Sequence, residues 1–496
     1  MHTTVGHSQA RGPSVLIASS EVAPYAKTGG LADVMCSLPG TLAGLGTRVS
    51  VIAPAYRSVL KGNYDLEDAG FSFSAPVSNG KEVGSVLKTI SGDSVPVYFV
   101  RADRYYDRDY LYGTPDGDYP DNAERFVFFS RAILEVMKRD PPQILNANDW
   151  QTALAIAFLK SQPQLYPELG NVKTVMTIHN LGYQGRFRSH DWHLLNLDPA
   201  LFNWHYLEFY GTINFLKGGI VSADAITTVS PTYSQEIKKP EQGFGLEGIF
   251  QERADRLYGI LNGVDYRIWD PKSDPFIARK YSPENLFGKK LCKADLQKHF
   301  GLKPDPSIPI IGMVTRLTEQ KGIDLVRDAV GDIIARDCQF VLVGTGDRVM
   351  QESFAQMPAQ FPGRVGVEIG FNEPLSHKVI AGADFLLMPS RYEPAGLTQL
   401  YGLKYGTVPI ARATGGLIDT VSEFHPERGN GNGFVFCAYE PRHMLAAVDR
   451  AVAAFRHKGL RTKLTQIAMA ADFSWMKSAR QYLDVYDRLI SGADEP

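Results

Sequence analysis

Apolar runs alternate with amphipathic segments along most of this chain. In the first half, the segments at residues 31–45, 122–139 and 152–159 carry apolar positions at helical spacing. Continuous apolar runs are typical of strands buried on both faces, so the pattern predicts a parallel sheet covered by helices. The predicted strands are residues 15–18, 48–53, 95–100, 144–146, 172–178 and 225–229. Pro96 places the third of these runs at a sheet edge or at a strand start.

The second half of the chain repeats the alternation. Its predicted strands are residues 308–314, 339–343, 365–369, 385–388 and 408–411. Two such patterns in succession predict an α/β protein of two Rossmann-like, doubly wound domains that face a central cleft. We expect a flexible N-terminus (1–13), an N-terminal domain (14–258), a C-terminal domain (259–472), and a final segment (473–496) whose helix packs back on the N-terminal domain.

Composition narrows the class of protein. A chain of 496 residues is too long for one core, which agrees with two domains. The net charge of −2 argues against a nucleic-acid partner. No apolar run reaches the length of about 20 residues that crosses a membrane, and the polar start lacks the apolar core of a secretory signal. The cysteines, Cys36, Cys292, Cys338 and Cys437, are scattered, which fits a reducing cytoplasm rather than disulfides or zinc.

A lysine and two glycines stand where the first helix is predicted to begin. The stretch Lys27-Thr28-Gly29-Gly30 leads into the helix, so its backbone N–H groups and the lysine can hold an anion. A tight turn without a ligand is the alternative reading. The tetrapeptide Thr-Gly-Gly-Leu of residues 28–31 returns at residues 414–417, where it again follows a predicted strand and opens a helix.

Polar residues gather at the carboxyl ends of the predicted strands, the edge where parallel sheets bind ligands. Asp149 and His179 follow two strands of the first half, although Asp149 can also be a helix cap. In the second half, Arg316 and Lys321 share one strand-end loop, where two cations suit a diphosphate. Glu393 follows another strand, and the proline and glycine after it predict a helix start beside its carboxylate.

Two Asp-x-Asp triplets, Asp107/Asp109 and Asp116/Asp118, lie in a segment rich in Tyr, Asp, Gly and Pro. We interpret this segment, residues 105–121, as an ordered surface loop with exposed aromatic side chains. Such triplets can hold a divalent metal against a nucleotide diphosphate. Both stand in turn-forming sequence and not at a strand end, so we expect turns and no metal.

Taken in order, these motifs resemble those of the bacterial glycogen synthases and plant starch synthases. The resemblance spans nearly the whole chain. Lys-Thr-Gly-Gly-Leu-Ala-Asp-Val is specific to this family, whereas the Arg/Lys loop and Glu-Pro-x-Gly-Leu-Thr-Gln are shared with other retaining transferases. The matching stretches are residues 27–34, 148–150, 177–185, 262–265, 316–322 and 393–399. This chain has Ala395, Asn146 and Asn148 where the family often has Cys, His and His.

The resemblance implies a GT-B type fold and transfer of glucose from ADP-glucose to the non-reducing end of an α-1,4-glucan, with retention of configuration and no metal cofactor. It implies that Arg316 and Lys321 bind the diphosphate and that Glu393 lies near the donor sugar. Asp149 and His179 would line the sugar site. The residues implied in substrate binding are Lys27, Gly29, Gly30, Asn262, Gly396, Leu397, Thr398 and, as an adenine-stacking ring, Phe371. A front-face transfer and a covalent intermediate both remain open.

Three other functions are alternatives to this one. The nearest is a related transferase that uses UDP-glucose or another acceptor. A hinge-closing sugar receptor would also have two such domains, but it leaves Arg316, Lys321 and Glu393 unexplained. A nicotinamide dehydrogenase is disfavoured because no G-x-G-x-x-G follows the first predicted strand.

Overall fold

The computed structural model describes residues 12–114 and 116–492. The expected flexible N-terminus, 1–13, falls almost entirely outside the described residues. The described chain divides into two compact units. The first unit comprises the chain up to residue 229, residues 234–263 and the C-terminal segment from residue 475. The second unit comprises residues 230–233 and 264–474.

A nine-stranded sheet forms the centre of the first unit. The strands of this unit are β1 (Ser14–Ala18), β2 (Arg48–Pro54), β3 (Glu67–Val77), β4 (Gly80–Ile90), β5 (Pro96–Arg101), β6 (Gly113–Thr114), β7 (Gly117–Asp118), β8 (Ile144–Asn148), β9 (Lys173–Ile178), β10 (Arg186–Arg188), β11 (Glu208–Phe209), β12 (Thr212–Asn214), β13 (Ala225–Thr228) and β14 (Leu257–Gly259). The sheet order is β14-β13-β9-β8-β1-β2-β5-β4-β3, and every pairing is parallel except those of β4.

The hairpin β3–β4 is absent from the predicted strands. Most of its residues alternate between partly buried and exposed positions, and only a few, such as Ala75 and Val86, are fully buried. Val83 is 68% exposed, so the hairpin lacks the continuous apolar run of a central strand. Because this hairpin occupies the edge, β5 lies between β2 and β4. Pro96 therefore marks a strand start, as one of its two readings predicted, and not a sheet edge.

Helices cover this sheet. They are α1 (Gly30–Gly44), α2 (Arg57–Leu60), α3 (Asp103–Tyr106), α4 (Asn122–Met137), α5 (Trp150–Ser161), α6 (Phe215–Ser222), α8 (Pro240–Gly243) and α9 (Glu247–Glu252). Helix α7 (Pro231–Glu236) is shared, because its first three residues belong to the second unit and its last three to the first. The expectation of exposed aromatics at residues 105–121 is partly wrong. Tyr105 and Tyr106 are buried in α3, whereas Tyr110 is half-exposed. Aromatic rings bury a large apolar area, which explains why this Tyr-rich segment packs into the unit.

The second unit contains a six-stranded, all-parallel sheet of order β17-β16-β15-β18-β19-β20. Its strands are β15 (Ile310–Val314), β16 (Gln339–Gly344), β17 (Val365–Ile369), β18 (Phe385–Met388), β19 (Val408–Arg412) and β20 (Phe434–Phe436). Its helices are α10 (Phe287–His299), α11 (Ile323–Ala335), α12 (Arg348–Ala355), α13 (Met357–Gln360), α14 (Glu373–Gly382), α15 (Thr398–Lys404), α16 (Gly416–Thr420), α17 (Pro441–Arg456) and α18 (Lys458–Ala470). Since all strands are parallel, their carboxyl ends share one edge.

The last helix, α19 (Trp475–Ser491), belongs to the first unit. Its Tyr486 hydroxyl accepts a hydrogen bond from the Asn146 amide at 2.7 Å, and its Ser478 hydroxyl donates to the carbonyl oxygen of Leu261. None of the helices in the described part of the chain combines the length and apolar character needed to cross a membrane.

Candidate active site

The second unit buries a lysine–glutamate pair at the carboxyl edge of its sheet. The Lys321 ammonium lies 2.8 and 2.6 Å from the two carboxylate oxygens of Glu393. The Ser390 hydroxyl donates to one of these oxygens at 2.9 Å. The Glu393 side chain is only 4% exposed and that of Lys321 is 19% exposed, so little water screens the pair. The sequence-predicted residues Lys321 and Glu393 are therefore in direct contact.

A tight backbone approach brings the lysine to the glutamate. Lys321 ends a short 3₁₀ turn, Glu319–Lys321, and Gly322 follows it with φ of 68°, in the left-handed region. A Cβ atom at this glycine would stand 2.1 Å from the carbonyl oxygen of Pro389. The N–H of Arg391 donates to the carbonyl of Gln320 at 2.8 Å. Only glycine permits this packing of the lysine loop against the segment before Glu393.

The repeated Thr-Gly-Gly-Leu turn of the second unit supports the backbone of Glu393. The N–H of Gly416 donates to the carbonyl oxygens of Glu393 and Pro394, at 3.0 and 3.2 Å. The Ser230 hydroxyl donates to the same Pro394 oxygen at 2.7 Å. This turn therefore fixes the main chain of Glu393 and leaves its carboxylate to Lys321 and Ser390.

The helix predicted to start at Pro394 and Gly396 starts later. Helix α15 begins at Thr398 with Leu397 as its N-cap, and Gly396 has φ of 67°, outside the helix. The interpretation of Glu393 as a residue just before a helix N-terminus is therefore wrong. Its carboxylate is stabilised by an ammonium and a hydroxyl instead of a helix end.

Arg316 and Phe371 lie at neighbouring strand ends of the same sheet. A guanidinium nitrogen of Arg316 donates to the side-chain oxygen of Gln320 at 3.2 Å, which holds it over the lysine loop. Phe371 follows β17 and is 73% exposed. The N–H of Gly370 donates to the carbonyl of Gly344, the last residue of β16. An exposed ring and an arginine thus stand at the edge that carries Lys321 and Glu393.

In the first unit, a buried carboxylate occupies the amides of the predicted anion-binding turn. Glu21 accepts hydrogen bonds from the N–H of Thr28 at 2.6 Å and from the N–H of Gly29 at 3.1 Å. The Lys27 ammonium lies 2.7 Å from Asp33. Gly30 is the first residue of α1. A Cβ atom at Gly29 would meet no other atom within 4 Å, so the space in front of this turn is open.

Asp149 and His179 meet at the carboxyl ends of β8 and β9. The N–H of His179 donates to the Asp149 carboxyl at 2.7 Å. Asp149 occupies the N-cap position of α5 but makes no side-chain capping bond there, and its φ of 56° is unusual for a residue other than glycine. Burial, with the nearby charge of Glu21 as a smaller cause, raises the pKa of Asp149 to about 7. Burial lowers the pKa of His179 to about 4.

Asn146 and Asn148 join this hydrogen-bond network. The Asn148 side-chain oxygen lies 2.9 Å from Nε2 of His179, and its amide donates to the carbonyl of Ala18 at 3.1 Å. Asn146 accepts from the Thr177 hydroxyl at 2.7 Å. Because His179 is neutral near pH 7, the contact with the Asn148 oxygen places its single ring proton on Nε2. Nδ1 is then an acceptor.

Asn262 is a buried polar residue of the first unit. It is 5% exposed, and within the described residues its side-chain oxygen has no hydrogen-bond partner. Buried polar atoms are almost always paired, so an orphaned oxygen marks a place where a ligand can supply a donor.

The two Asp-x-Asp triplets lie in an ion-paired loop and in an exposed hairpin. Asp107 and Asp109 both pair with Arg57, at 2.6 and 2.5 Å. Asp116 and Asp118 lie in the small hairpin that contains β6 and β7 and are exposed. Across residues 12–114 and 116–492, no three His, Cys, Asp or Glu side chains are grouped so that they could hold a metal ion.

Sequence reasoning missed Glu21, Ser390 and the amide of Asn148. A signal for Glu21 exists in the sequence, because a glutamate three residues after a buried strand is rarely left without a partner. Ser390 carried no such signal, since a serine after a strand is ordinary turn chemistry.

Known proteins resemble this chain over nearly its whole length. A family model described as the starch synthase catalytic domain matches residues 14–252, and one described as glycosyl transferases group 1 matches residues 296–483. The glycogen synthase of Syntrophotalea carbinolica is 46% identical over 96% of this chain and 99% of its own. That of Koribacter versatilis is 45% identical over 96% of this chain and 98% of its own.

Solved structures agree with these relatives. The catalytic domain of starch synthase IV from Arabidopsis thaliana, bound to ADP and acarbose, matches 97% of this chain and 99% of its own, with a TM-score of 0.89 and 32% identity. Sucrose-phosphate synthase from Thermosynechococcus elongatus matches with a TM-score of 0.60 at 16% identity, over 97% and 100% of the two chains, which supports the fold alone. The chain therefore belongs to the glycogen synthase family of glycosyltransferases and has the two α/β units of the GT-B fold.

Proposed function

We propose that this enzyme transfers glucose from ADP-glucose to the non-reducing end of an α-1,4-glucan, with retention of the α configuration. Its family is that of glycogen synthases, and the starch synthase it resembles was solved with ADP and acarbose. The observation that carries the proposal is the buried Lys321–Glu393 pair at the carboxyl edge of the second unit's sheet. A largely buried ammonium at that edge suits an anionic leaving group.

The diphosphate is the proposed ligand of Lys321 and Arg316. An ammonium has three N–H donors, and two of them are directed at the Glu393 oxygens, which leaves one for a phosphate oxygen. Arg316 can add a bidentate contact on the same loop. Phe371, which is exposed, is proposed to stack on the adenine. Gly396, Leu397 and Thr398 would contribute the N–H groups around the start of α15 to the donor.

The sugar is the proposed ligand of the first unit's polar groups. Nδ1 of neutral His179 can accept a sugar hydroxyl, and the Asp149 carboxyl beside it can accept another. The orphaned oxygen of Asn262 is a third acceptor. Lys27, Gly29 and Gly30 are proposed to face the donor from the start of α1.

Catalysis then consists of stabilising ADP as it leaves while an oxocarbenium-like sugar forms. Loss of one such electrostatic contact costs about 10²–10³ in rate in other enzymes. Glu393 is not assigned as a nucleophile, because both of its oxygens accept bonds from Lys321 and one also accepts a bond from Ser390. A front-face transfer, in which the leaving phosphate takes the acceptor's proton, and a covalent intermediate remain the two candidate routes to retention.

No metal cofactor is proposed. The two cations of the lysine loop can neutralise the diphosphate, and Asp107 and Asp109 are already paired with Arg57. Incubation with EDTA should leave activity largely unchanged. A strict requirement for a divalent metal would contradict this part of the proposal. The four cysteines are free thiols, which supports the proposed cytoplasmic location.

The test is incorporation of labelled glucose into glycogen by the purified chain. We expect incorporation from ADP-glucose and a much lower kcat/KM with UDP-glucose. Equal or better use of UDP-glucose would favour the related transferase. Binding of the sugar nucleotide without incorporation would favour the receptor. A Lys321→Ala variant is the matched control for turnover at the proposed site.

A further inference from the structure

The hydrogen-bonding capacity of the Glu21 carboxylate is filled by the turn that follows it and by Tyr112. Beyond the two N–H groups of Thr28 and Gly29, its carboxylate accepts from the Thr28 hydroxyl at 2.6 Å and from the Tyr112 hydroxyl at 2.8 Å. A carboxylate offers about four acceptor sites, so none is left for a substrate. Glu21 is 4% exposed, which keeps water away from these bonds.

The main chain of Glu21 is also fixed. The Ser19 hydroxyl donates to the carbonyl oxygen of Glu21 at 2.7 Å, and the N–H of Glu21 lies 3.2 Å from the same hydroxyl oxygen. Tyr112, in the segment before α4, lies 2.7 Å from the hydroxyl of Ser20. The carboxylate is therefore held in place from the end of β1 and from a second segment of the unit.

We infer that Glu21 is a positioning residue for glucosyl transfer: its buried carboxylate fixes the Lys27–Gly30 turn in the form that receives the donor. This inference rests on the proposed function. Two of the turn's amides are committed to Glu21, so the turn's shape is set before any ligand binds. What remains for a ligand is the open face at Gly29 and the first residue of α1, Gly30. Preorganisation of this kind lowers the free-energy cost of binding.

A matched control exists in the same unit. The carboxylate of Glu124, in α4, accepts from the Tyr105 hydroxyl at 2.7 Å and from Arg104 at 3.0 Å. Like Glu21 it accepts a bond from a tyrosine, although its side chain is 23% exposed and Glu21 is buried. Glu124→Gln therefore reports the general cost of losing such a carboxylate.

The experiment compares Glu21→Gln with Glu124→Gln in the full chain. Glutamine has the same size as glutamate, but it replaces one acceptor oxygen by an NH₂ group. That NH₂ group would face N–H and O–H donors and could not accept their hydrogen bonds. We expect Glu21→Gln to raise the KM for ADP-glucose roughly 10-fold and to leave the KM for glycogen unchanged, because misplaced binding groups weaken the donor contact. Glu124→Gln should leave both KM values unchanged. A merely structural role would reduce the folded fraction, and hence the apparent kcat, without moving the donor KM.

Hydrogen exchange of the peptide around Thr28 supplies a second measurement that does not need turnover. The exchange rate of the Thr28 and Gly29 amides should be higher in Glu21→Gln than in wild type. In Glu124→Gln it should equal that of wild type. If wild type fails to use ADP-glucose, the proposed function fails and this exchange result still decides the positioning of the turn. An unchanged donor KM, or unchanged exchange, in Glu21→Gln would overturn the inference. Should Glu21→Gln not fold, Tyr112→Phe removes one of the four bonds, and an unchanged donor KM there would overturn it as well.

Discussion

The two Thr-Gly-Gly-Leu turns, one in each unit, bind different parts of a glutamate. At residues 28–31 the amides of Thr28 and Gly29 bind the side chain of Glu21. At residues 414–417 the amide of Gly416 binds the main-chain oxygen of Glu393. The first turn therefore takes up a carboxylate, whereas the second leaves a carboxylate to Lys321.

This difference decides what each carboxylate can do. The Glu21 carboxylate is bound by main-chain amides, which move only if the backbone moves. Glu21 is therefore fixed in place and holds the turn in its shape. A lysine on a flexible stem can share its ammonium with an arriving phosphate. Next to identical tetrapeptides, the Glu21 carboxylate of one unit is fixed by amides. The Glu393 carboxylate of the other unit pairs with a lysine that can also bind a ligand. The turn alone does not determine the chemistry; the residue that faces it does.

The largest effect is expected from breaking the Lys321–Glu393 pair. Lys321→Ala leaves the Glu393 carboxylate buried without its cation, which costs about 3 kcal/mol of unfolding free energy and lowers kcat/KM by ~10²-fold or more. Adding Glu393→Gln should restore most of the stability but none of the activity, as measured by chemical denaturation and glucose incorporation. If the double variant regains activity, the pair is only structural.

A smaller but cleaner effect should separate the two turns themselves. A Cβ atom at Gly416 would stand 2.2 Å from the carbonyl oxygen of Ala395, whereas one at Gly29 would meet nothing within 4 Å. Gly416→Ala should therefore lower the melting temperature and displace the Glu393 loop. Gly29→Ala, at an extended φ of −157°, should barely change stability.

The two alanine variants also test the ligand role of the first turn. If the donor approaches Gly29, Gly29→Ala raises the KM for ADP-glucose at an unchanged melting temperature. Wild-type kinetics in this variant would remove Gly29 from the donor site. Equal melting temperatures for Gly29→Ala and Gly416→Ala would contradict the contrast between the turns.

A third effect concerns Asp149, which like Glu21 is held by main-chain amides. Its pKa in the fold is about 7, above its unfolded value, so folding favours the protonated form. That stabilisation is complete below about pH 4 and is lost as the pH rises through about 7. Asp149→Asn should therefore gain stability relative to wild type between about pH 4 and pH 7.

The measurement for Asp149 is the difference in melting temperature between wild type and Asp149→Asn across this range. His179, whose pKa is about 4, stays neutral over most of it and should not mask the trend. Glu21 is the charged neighbour that contributes to the shift. A difference that does not vary with pH would mean that Asp149 is ionised throughout.

The smallest effect is expected at the exposed hairpin of Asp116 and Asp118. Replacing both by asparagine should leave stability and kcat/KM near wild type, because surface charges away from a site contribute little. Added EDTA should change neither protein. A loss of activity that added Mg²⁺ or Mn²⁺ rescues would reveal a metal role for this triplet.

Much of the fold could be predicted because central strands are buried on both faces. The run at 339–343 lies within the observed strand β16, and the run at 385–388 is the observed strand β18; both are central strands of the second unit's sheet. The edge hairpin β3–β4 could not be predicted, since each of its strands presents one face to water and carries mixed residues. Residues 230–233, which belong to the second unit, have no marker in the sequence.

In the candidate site, the positions of the residues could be predicted but their hydrogen-bond partners could not. Strand-end positions of Asp149, His179 and Glu393 follow from the parallel sheets and lie where the pattern places them. Hydrogen-bond partners do not follow, because they depend on close backbone approaches between distant segments. The φ of 56° at Asp149 and the φ of 68° at Gly322 are set by tertiary packing. A propensity-based reading placed a helix at Pro394 where the chain forms an irregular turn instead.

The return of α19 to the first unit has a consequence for the order of events during synthesis. The side-chain NH₂ group of Asn146 gains the Tyr486 hydroxyl as its acceptor only when the last helix has left the ribosome. Between residues 263 and 475 the ribosome adds ~200 residues, which takes roughly 10–40 s at elongation rates of about 5–20 residues per second. During this interval the surface of the first unit that α19 later covers is exposed. The first unit is therefore synthesised first but completed only after the second unit.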